Sequence, residues 1–238
     1  MKLAIMQPYF FPYIGYFQLI NAVDEFILFD DVQYIRKGWI NRNRILSPSI
    51  EDEFLYIIVP IKKHKQTDLI KEIKISYSEN WVNKIYGQLT YYKKIRAPFY
   101  KDVLDLLEFV FNEEHESIVQ LNFKSLNIVA KYLGIETKLS ISSEYNFDYS
   151  LVNGPGDWAL EISKQKKATM YINPLGGIDL FDKEKFNKNG IELKFLKPKE
   201  IIYKQSKRNF VPWLSIIDVM MFNSKDEIKK MLNEYVLL

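Results

Sequence analysis

MKLAIMQPYFFPYIGYFQLINAVDEFILFDD, residues 1–31, is the stretch of this sequence that decides the fold. Leu3–Gln7 is a short apolar run stopped by a proline, which predicts a buried strand. The segment Pro12–Asn21 carries apolar residues at helical spacing behind a proline suited to a first helical turn, and Phe26–Phe29 predicts a second strand. A strand, a helix and a strand in this order form a βαβ unit, so we expect a parallel sheet with a right-handed crossover.

The rest of the chain alternates between strands and helices on either side of a helical region. Between about residues 80 and 133, apolar residues at i, i+3 and i+4 spacing predict successive helices. The predicted helices are Trp81–Tyr92, Phe99–Phe111, Ser117–Tyr132, Trp158–Lys166, Asp182–Asn189, Leu214–Phe222 and Asp226–Val236; the further predicted strands are Phe54–Val59, Ile70–Ile75 (an edge strand), Thr137–Ile141, Thr169–Ile172 and Ile191–Leu196. We therefore expect one α/β domain over residues 1–238, with a Rossmann-like, mostly parallel sheet built from both ends of the chain and a helical insert at about 80–133.

Composition excludes several classes of site. The 238 residues are 47% hydrophobic and 15% aromatic, which is enough for a sizeable core and argues against disorder. The absence of Cys excludes disulfides, thiolate metal sites and a cysteine nucleophile, and only two His argue against a histidine-built metal centre, so we predict no metal site. The net charge of +3 is too small to indicate binding to DNA or to a membrane surface.

The sequence shows no targeting signal, membrane span or common nucleotide motif. Gln7 and Pro8 interrupt the N-terminal apolar run, and no uncharged stretch approaches the ~18 apolar residues of a membrane-spanning helix. We therefore expect a cytoplasmic protein that neither inserts into a membrane nor binds DNA. The missing Walker, Gly-x-Ser-x-Gly and dinucleotide motifs argue against those mechanisms.

Ligands of open parallel sheets bind beyond the carboxyl ends of the strands, which directs attention to the loops that follow them. After the first strand, backbone N–H groups at a helix start could bind a phosphate or carboxylate, and aromatic rings could stack on a base. The phenylalanines there are better explained as core residues, whereas polar groups at a strand end need partners. The candidates are Gln7, Tyr9 and Tyr13 for substrate binding and Tyr16 for catalysis.

The second strand ends at Asp30 and Asp31, and polar and cationic residues follow. The two carboxylates could bind Mg²⁺, orient an amine or act as a base, while nearby cations could hold a nucleotide phosphate. The aspartates could equally cap the next turn and pair with Arg36 or Lys37, and spacing leaves both interpretations open. The candidates are Asp30 and Asp31 for catalysis, and Gln33, Lys37, Trp39, Asn41 and Arg42 for substrate binding.

Two later segments add candidates. Lys62 and His64 belong to a basic run that is either a phosphate-binding loop, in which His64 moves a proton, or a solvated loop. Asn173, Gly176 and Gly177 form a turn where missing Cβ atoms could let a ligand approach the backbone, unless the glycines serve only the turn.

Five stretches, taken together, carry a family resemblance. They are Met6–Ile20 (MQPYFFPYIGYFQLI), Phe29–Ile45 (FDDVQYIRKGWINRNRI), Tyr171–Gly177 (YINPLGG), Tyr203–Gln205 (YKQ) and Phe210–Met221 (FVPWLSIIDVMM). With them the chain resembles the WbqC-like protein family, whose genes accompany synthesis of O-antigen and other surface polysaccharides. One role proposed for that family is a glycine transferase that acylates an amino sugar. The resemblance implies this context and adds Tyr203 and Gln205 to the substrate-binding candidates.

A second, weaker similarity concerns Tyr13-Ile14-Gly15-Tyr16. This tetrapeptide lies where nucleotidylyltransferase-like (HUP-like) proteins carry a His-x-Gly-His signature, with tyrosine in place of both histidines. Pantoate–β-alanine ligase shares that fold and forms an acyl-adenylate that an amine then attacks, so the likeness implies ATP and Mg²⁺ as cofactors. Tyrosine lacks the charge of an imidazolium, so Lys37, Arg42 or Lys62 would have to supply it.

Our leading hypothesis is an enzyme that forms an amide between glycine, or another small acyl donor, and the amine of a nucleotide-linked amino sugar. It requires that Gln7, Asp31, Arg42 and Asn173 converge on one cation-lined pocket. The alternatives are a nucleotidylyltransferase-like enzyme and a non-catalytic nucleotide-sugar binding protein of the same pathway. Aromatic-rich helices such as Trp81–Tyr92 could also form a homo-oligomer interface.

Overall fold

The computed structural model describes residues 1–49, 51–206 and 209–238. Its strands are β1 (Lys2–Met6), β2 (Glu25–Leu28), β3 (Arg42–Leu46), β4 (Phe54–Ile58), β5 (Lys138–Ile141), β6 (Met170–Pro174), β7 (Glu192–Pro198) and β8 (Tyr235–Leu237). Its helices are α1 (Ile14–Asn21), α2 (Trp81–Lys94), α3 (Tyr100–Phe111), α4 (Ile118–Leu133), α5 (Asp157–Gln165), α6 (Lys183–Lys188), α7 (Ile216–Phe222) and α8 (Lys225–Met231). Short 3₁₀ turns occupy Ile70–Glu72, Ser142–Glu144 and Leu175–Leu180.

The main sheet has six strands in the order β5-β2-β1-β6-β7-β8. Every neighbouring pair is parallel except β7 with β8. The first strands run outward on one side of β1 and the later strands on the other, which is the order of a Rossmann-like fold. The predicted α/β class with a mostly parallel sheet is confirmed, while the narrower HUP-like assignment stays a prediction. The strand order reverses between β1 and β6, and ligands bind at such a switch point.

The parallel strands are buried on both faces because their side chains alternate between two hydrophobic clusters. In β2, Phe26 and Leu28 belong to the larger cluster and Ile27 to the smaller one. In β1, Ala4 belongs to the larger cluster and Leu3 to the smaller one. Helix α1 contributes to the larger cluster and helix α5 to the smaller one, so the two helices pack on opposite faces of the sheet.

Helices α2, α3 and α4 follow one another between β4 and β5, as the apolar spacing predicts. Gly134 ends α4 in the left-handed conformation (φ 72°), where the lack of a Cβ removes a steric penalty. Among the described residues, none of the helices combines the length and hydrophobicity needed to cross a membrane. The assignment of the whole chain to one domain with a helical insert stays a prediction.

Strands β3 and β4 form a separate antiparallel pair in which Arg44 lies opposite Tyr56. Strand β4 corresponds to the predicted Phe54–Val59 strand. Strand β3 has no counterpart in the sequence prediction, because its arginines and Asn43 conceal the alternation of a half-buried strand.

The edge strand predicted over Ile70–Ile75 is wrong. The segment begins with a 3₁₀ turn, which the carboxylate of Glu72 closes by accepting a hydrogen bond from the backbone N–H of Leu69 at 2.7 Å. Ile70 and Ile73 are both buried, at the three-residue spacing of such a turn, and Lys74 and Ile75 pair through isolated bridges instead of a continuous strand.

The helix predicted over Asp226–Val236 is also wrong in its second half. Helix α8 ends at Met231, and Tyr235–Leu237 pairs with β7 as strand β8. The side-chain amide of Gln18, fully buried, donates to the backbone carbonyls of Met231 and Glu234 at 2.7 and 3.0 Å. This distant contact satisfies carbonyls at the helix end and lets the chain turn back along the sheet.

Candidate functional site

A pocket of about 340 Å³ lies where β1 and β6 end side by side. These strands flank the point at which the strand order reverses. We call it the switch-point pocket; it is lined by Met6, Tyr9, Pro12, Tyr13, Trp39, Asn43, Arg44, Pro174 and Trp213.

The loop between β1 and α1 is fixed by side chains from distant parts of the chain. The side-chain amide of Asn43 donates to the carbonyls of Phe10 and Phe11 at 2.9 and 3.0 Å. The hydroxyl of Ser215 donates to the Phe11 carbonyl at 2.7 Å, and Asn122 donates to the Pro8 carbonyl at 2.8 Å. Phe11 has a left-handed backbone (φ 38°), a strained conformation that surrounding contacts must hold. The loop therefore presents its tyrosines to the pocket in a fixed position.

Arg44 brings positive charge to the switch-point pocket without an anionic partner. Its guanidinium lies 4.7 Å from the ring centroid of Phe54 and 5.1 Å from that of Trp39. One terminal nitrogen donates to the carbonyl of Trp213 at 3.2 Å, while Nε is buried without a hydrogen-bond partner. No ion pair among the described residues includes Arg44. A partly desolvated guanidinium of this kind favours an anionic ligand.

Trp213 forms an exposed wall of the same pocket. Its side chain is 60% exposed, and its ring meets that of Tyr13 edge-on with centroids 5.7 Å apart. Its backbone is left-handed (φ 61°), which is costly for a bulky residue and typical of ligand clamps. Together with Tyr9 and Trp39, these rings surround the pocket with flat aromatic surfaces.

A second pocket, of about 540 Å³, lies on the other side of the end of β1. Gln7 lines it, one residue after Met6 of the switch-point pocket, together with Asn153. We call it the Gln7 pocket; its full lining is Gln7, Phe29, Val32, Val152, Asn153, Gly154, Pro155, Trp158 and Leu180. This lining is apolar apart from its two amide side chains and carries no charged residue, so it suits an uncharged group.

Tyr16 holds the backbone of Gln7, a residue that lines the Gln7 pocket. Its hydroxyl donates to the backbone carbonyl of Gln7 at 2.8 Å, and the side chain is fully buried. Burial raises the pKa of the Tyr16 hydroxyl well above its usual value, so it stays protonated. Its catalytic role stays a prediction, and its position is that of a support for the loop.

Asp30 and Asp31 differ in environment although they are neighbours. Asp30 is buried and accepts hydrogen bonds from the hydroxyls of Ser142 and Ser143 at 2.8 and 2.6 Å, which join the ends of β2 and β5. Asp31 forms an ion pair with Lys71 at 2.9 Å and accepts a hydrogen bond from the Tyr149 hydroxyl at 2.9 Å. Asp31 is thus the carboxylate that touches ionisable side chains at the carboxyl edge of the sheet.

Several predicted substrate-binding residues in the segment after Asp31 bind neighbouring backbone groups. The guanidinium of Arg42 donates to the carbonyls of Gly38 and Lys37 and lies over the Tyr56 ring. Asn41 donates to the Val59 carbonyl at 2.9 Å. Arg42 and Asn41 therefore hold the segment that leads into β3, and they line neither of the two pockets.

The basic loop lies away from both pockets. The side-chain amide of Gln33 donates to the Gln66 carbonyl, which ties the segment after β2 to this loop. The His64 ring meets the Tyr34 ring edge-on at 5.0 Å, and Lys62 is exposed. The roles proposed for Gln33, Lys62 and His64 stay predictions.

The turn after β6 is built around Asn173. This buried amide accepts a hydrogen bond from the Tyr171 hydroxyl at 3.0 Å and donates to the Pro174 carbonyl at 2.9 Å. A Cβ on Gly177 would lie 2.4 Å from the Asn173 side-chain nitrogen, whereas a Cβ on Gly176 would meet nothing within 4 Å. Gly177 is required for this close packing, and Gly176 is not.

Tyr203 and Gln205 form a buried network with Asp218. The Tyr203 hydroxyl donates to the Asp218 carboxylate at 2.6 Å, and Gln205 donates to it at 2.8 Å. The hydroxyl of Tyr92 donates to the same carboxylate at 2.6 Å. Burial outweighs these hydrogen bonds and raises the pKa of Asp218 to about 6. The network anchors the segment that leads to Trp213.

The four residues that the hypothesis brings together do not converge, so the single cation-lined pocket that it requires is not formed. Arg42 begins β3, outside the six-stranded sheet. Gln7 lines its own pocket, and Asp31, Arg42 and Asn173 line neither pocket. The cation of the switch-point pocket is Arg44, which is not among the candidates that the sequence predicts. Arg44 and Arg42 lie on the same face of β3 because side chains alternate along a strand, and only the packing distinguishes them.

Three comparisons with known proteins bear on the identity of this chain. The model of the WbqC-like protein family matches residues 7–230. This chain belongs to the WbqC-like family. It is 32% identical, over 222 residues that cover 92% of each chain, to an uncharacterized protein (Rv1507c) of Mycobacterium tuberculosis. No solved structure matches the chain.

The WbqC-like stretches of this chain concentrate on one site. Met6–Ile20, Phe29–Ile45, Tyr171–Gly177 and Phe210–Met221 together contain all nine residues that line the switch-point pocket. They contribute only part of the lining of the Gln7 pocket. The matched residues 7–230 span the linings of both pockets, apart from Met6, so the family match itself does not distinguish between them.

Proposed function

We propose that this WbqC-like protein is a transferase that forms an amide between a small acyl group, such as glycyl, and the amine of a nucleotide-linked amino sugar. The observation that carries the proposal is the Arg44 guanidinium, which packs against the rings of Trp39 and Phe54 and has no carboxylate partner among the described residues. A phosphate group supplies the missing anion.

The walls of the switch-point pocket suit the rest of a nucleotide. Tyr9, Tyr13 and Trp213 offer aromatic faces for a base, and the pocket lies at the strand ends where Rossmann-like sheets bind nucleotides. In this arrangement Arg44 holds the diphosphate, and the sugar extends past the end of β1 toward the uncharged Gln7 pocket.

The acyl-transfer step needs a base and no redox partner. The neutral amine attacks the acyl carbon, the new C–N bond forms, the leaving group of the acyl donor departs with the bonding electrons, and the amine loses a proton. Asp31 does not line the pockets, but it precedes Val32 of the Gln7 pocket, and Lys71 and Tyr149 hold its carboxylate in place. We assign Asp31 as the acceptor of that proton through a bridging water. The amide side chains of Gln7 and Asn153 orient the sugar.

Binding of nucleoside diphosphates tests the first half of the proposal. Isothermal titration calorimetry with UDP, GDP and dTDP, and with uridine as the uncharged probe, should show binding of at least one diphosphate and loss of affinity without the phosphates. Arg44→Ala should weaken this binding about 10- to 100-fold, since it removes charge-assisted hydrogen bonds. Arg36→Ala is the control, because Arg36 is exposed and lines neither pocket, and it should change affinity less than about twofold.

Equal losses in the two arginine variants would contradict the assignment of Arg44. Circular dichroism and thermal melting of both variants separate loss of binding from loss of folding. Arg44→Lys keeps the charge but loses the planar fork, so it should recover only part of the affinity.

Product analysis tests the second half of the proposal, the transfer of an acyl group to the amino sugar. The protein is incubated with a nucleotide-linked amino sugar and glycine, with and without ATP and Mg²⁺, and the products are weighed by mass spectrometry. A sugar heavier by one glycyl unit supports the transferase, and dependence on ATP adds an activation step. Pyrophosphate release without an amide would instead indicate nucleotidyl transfer, and binding without turnover of any donor would indicate a nucleotide-sugar binding protein.

A further inference from the structure

A third pocket, of about 810 Å³, lies apart from the two described above and shares no lining residue with them. It is formed where the end of α2 meets the segment after β7. We call it the basic pocket; it is lined by Lys94, Ile95, Arg96, Pro98, Lys204, Ser206 and Phe222.

The charges of this pocket have one sign. Lys94, Arg96 and Lys204 line it, and no acidic residue does among those that the structure describes. In the part of the chain that the structure describes, none of the three forms an ion pair. Three like charges that converge on one concavity repel one another, and an anion in the pocket relieves that repulsion.

Stabilisation of the helix end accounts for only one of these cations. Lys94 lies in the last turn of α2, where a positive charge interacts favourably with the helix dipole. Arg96 lies beyond the helix end and has a left-handed backbone conformation (φ 56°) that glycine usually adopts at this position. Lys204 comes from a segment more than a hundred residues away.

The position of Lys204 is fixed from both sides. Its neighbours Tyr203 and Gln205 both donate to the buried Asp218 carboxylate, at 2.6 and 2.8 Å. Lys204 itself is exposed and lines the basic pocket. The buried network therefore holds a cation at the rim of this pocket.

We propose that the basic pocket binds a phosphate-bearing small molecule. Lys94, Arg96, Lys204 and the Ser206 hydroxyl supply the groups that bind the phosphates. Ile95, Pro98 and Phe222 form a less polar wall for the remainder of the ligand. The cations surround a cavity large enough for a nucleotide, whereas an RNA or a membrane would need a row of cations along an extended face.

Calorimetry with inorganic pyrophosphate and ATP tests this site in the Arg44→Ala protein, in which the switch-point pocket no longer contributes. The triple variant Lys94→Ala/Arg96→Gly/Lys204→Ala should weaken pyrophosphate binding at least about 30-fold. Glycine at position 96 relieves the backbone strain, so this variant should fold. The control variant Lys93→Ala/Lys101→Ala/Lys131→Ala removes the same charge from exposed lysines outside the pocket and should change affinity less than about twofold.

Three results would overturn the proposal. Pyrophosphate and ATP could both fail to bind at millimolar concentration, or the two triple variants could lose affinity equally. An RNA oligonucleotide or anionic phosphatidylserine vesicles could instead bind in a manner that depends on the three cations while pyrophosphate does not bind. The basic pocket and the Arg44 site are tested by different variants, so either assignment can fail alone.

Discussion

Asp218 should give this protein a component of stability that falls as the pH rises. Its carboxylate is fully buried, and its three hydrogen-bond donors, Tyr92, Tyr203 and Gln205, are all neutral. Burial outweighs these hydrogen bonds and raises the pKa of Asp218 from its ordinary value of 3.8 to about 6. We expect Asp218→Asn to remove this component, because the amide does not ionise.

The sign and size follow from proton linkage. Between pH 3.8 and about 6 the folded protein keeps the Asp218 proton while the unfolded chain has lost it, so the free energy of unfolding decreases as the pH rises through this window. The two pKa values correspond to about 3 kcal/mol over the whole window, of which roughly 1.3 kcal/mol lies between pH 5 and pH 7. Above this window the loss is complete, and the contribution no longer changes.

Urea unfolding at a series of pH values from about 4.5 to 7.5 measures the effect. The difference in unfolding free energy between the wild type and Asp218→Asn should change by roughly 1 kcal/mol between pH 5 and pH 7. This difference in slope is the readout, so a uniform loss of stability in the variant does not affect it. Parallel curves for the two proteins would refute the reasoning.

Glu25→Gln supplies a comparison of opposite sign. Burial raises the pKa of Glu25, but the hydrogen bonds and charge of Lys166 and the Ser140 hydroxyl outweigh burial, so the pKa lies below its usual value. The stability that this group contributes is present above its ordinary pKa of 4.5 and is lost on acidification. The variant should therefore be less sensitive to acid than the wild type, which is the reverse of the Asp218 result.

Two further predictions concern the walls of the candidate site. Asn43→Ala should lower the unfolding free energy by about 2 kcal/mol and weaken UDP binding, because it removes the side-chain donor of the Phe10 carbonyl and leaves the Phe11 carbonyl with the Ser215 hydroxyl alone. Urea unfolding and calorimetry measure both effects, and unchanged values would contradict the role given to this loop. Gly177→Ala should cost about 1–3 kcal/mol, because its Cβ would lie 2.4 Å from the amide nitrogen of Asn173, whereas Gly176→Ala, with open space at that position, should be nearly neutral. Equal stabilities for the two glycine variants would show that the turn can relax.

Much of the fold could be predicted from local patterns. The apolar runs of β1 and β2 on either side of α1 specify a parallel unit, because strands buried on both faces need no polar alternation. The error at the end of α8 occurred where a distant residue decides the structure. The amide of Gln18 ends α8 more than two hundred residues away, and no local pattern carries that information.

The candidate site, too, could be predicted from the sequence only in part. The rule for parallel sheets selected the loop after β1, and Tyr9, Tyr13 and Trp39 do line the switch-point pocket. The same reasoning selected Arg42, whereas the structure brings Arg44 to the pocket. Both arginines share a face of β3, and the difference between them depends on rings supplied by other segments.

The sequence by itself therefore determined the α/β class and the mostly parallel sheet, because hydrophobic periodicity and the order of strands and helices can be read from residues that are near one another in the chain. Only the tertiary structure decided which cation faces the pocket and which polar residues are buried supports. Tyr203, Gln205 and Asp218 illustrate the reason. Whether a polar side chain is free to bind a ligand depends on the partners that folding brings to it, and those partners are distant in the chain.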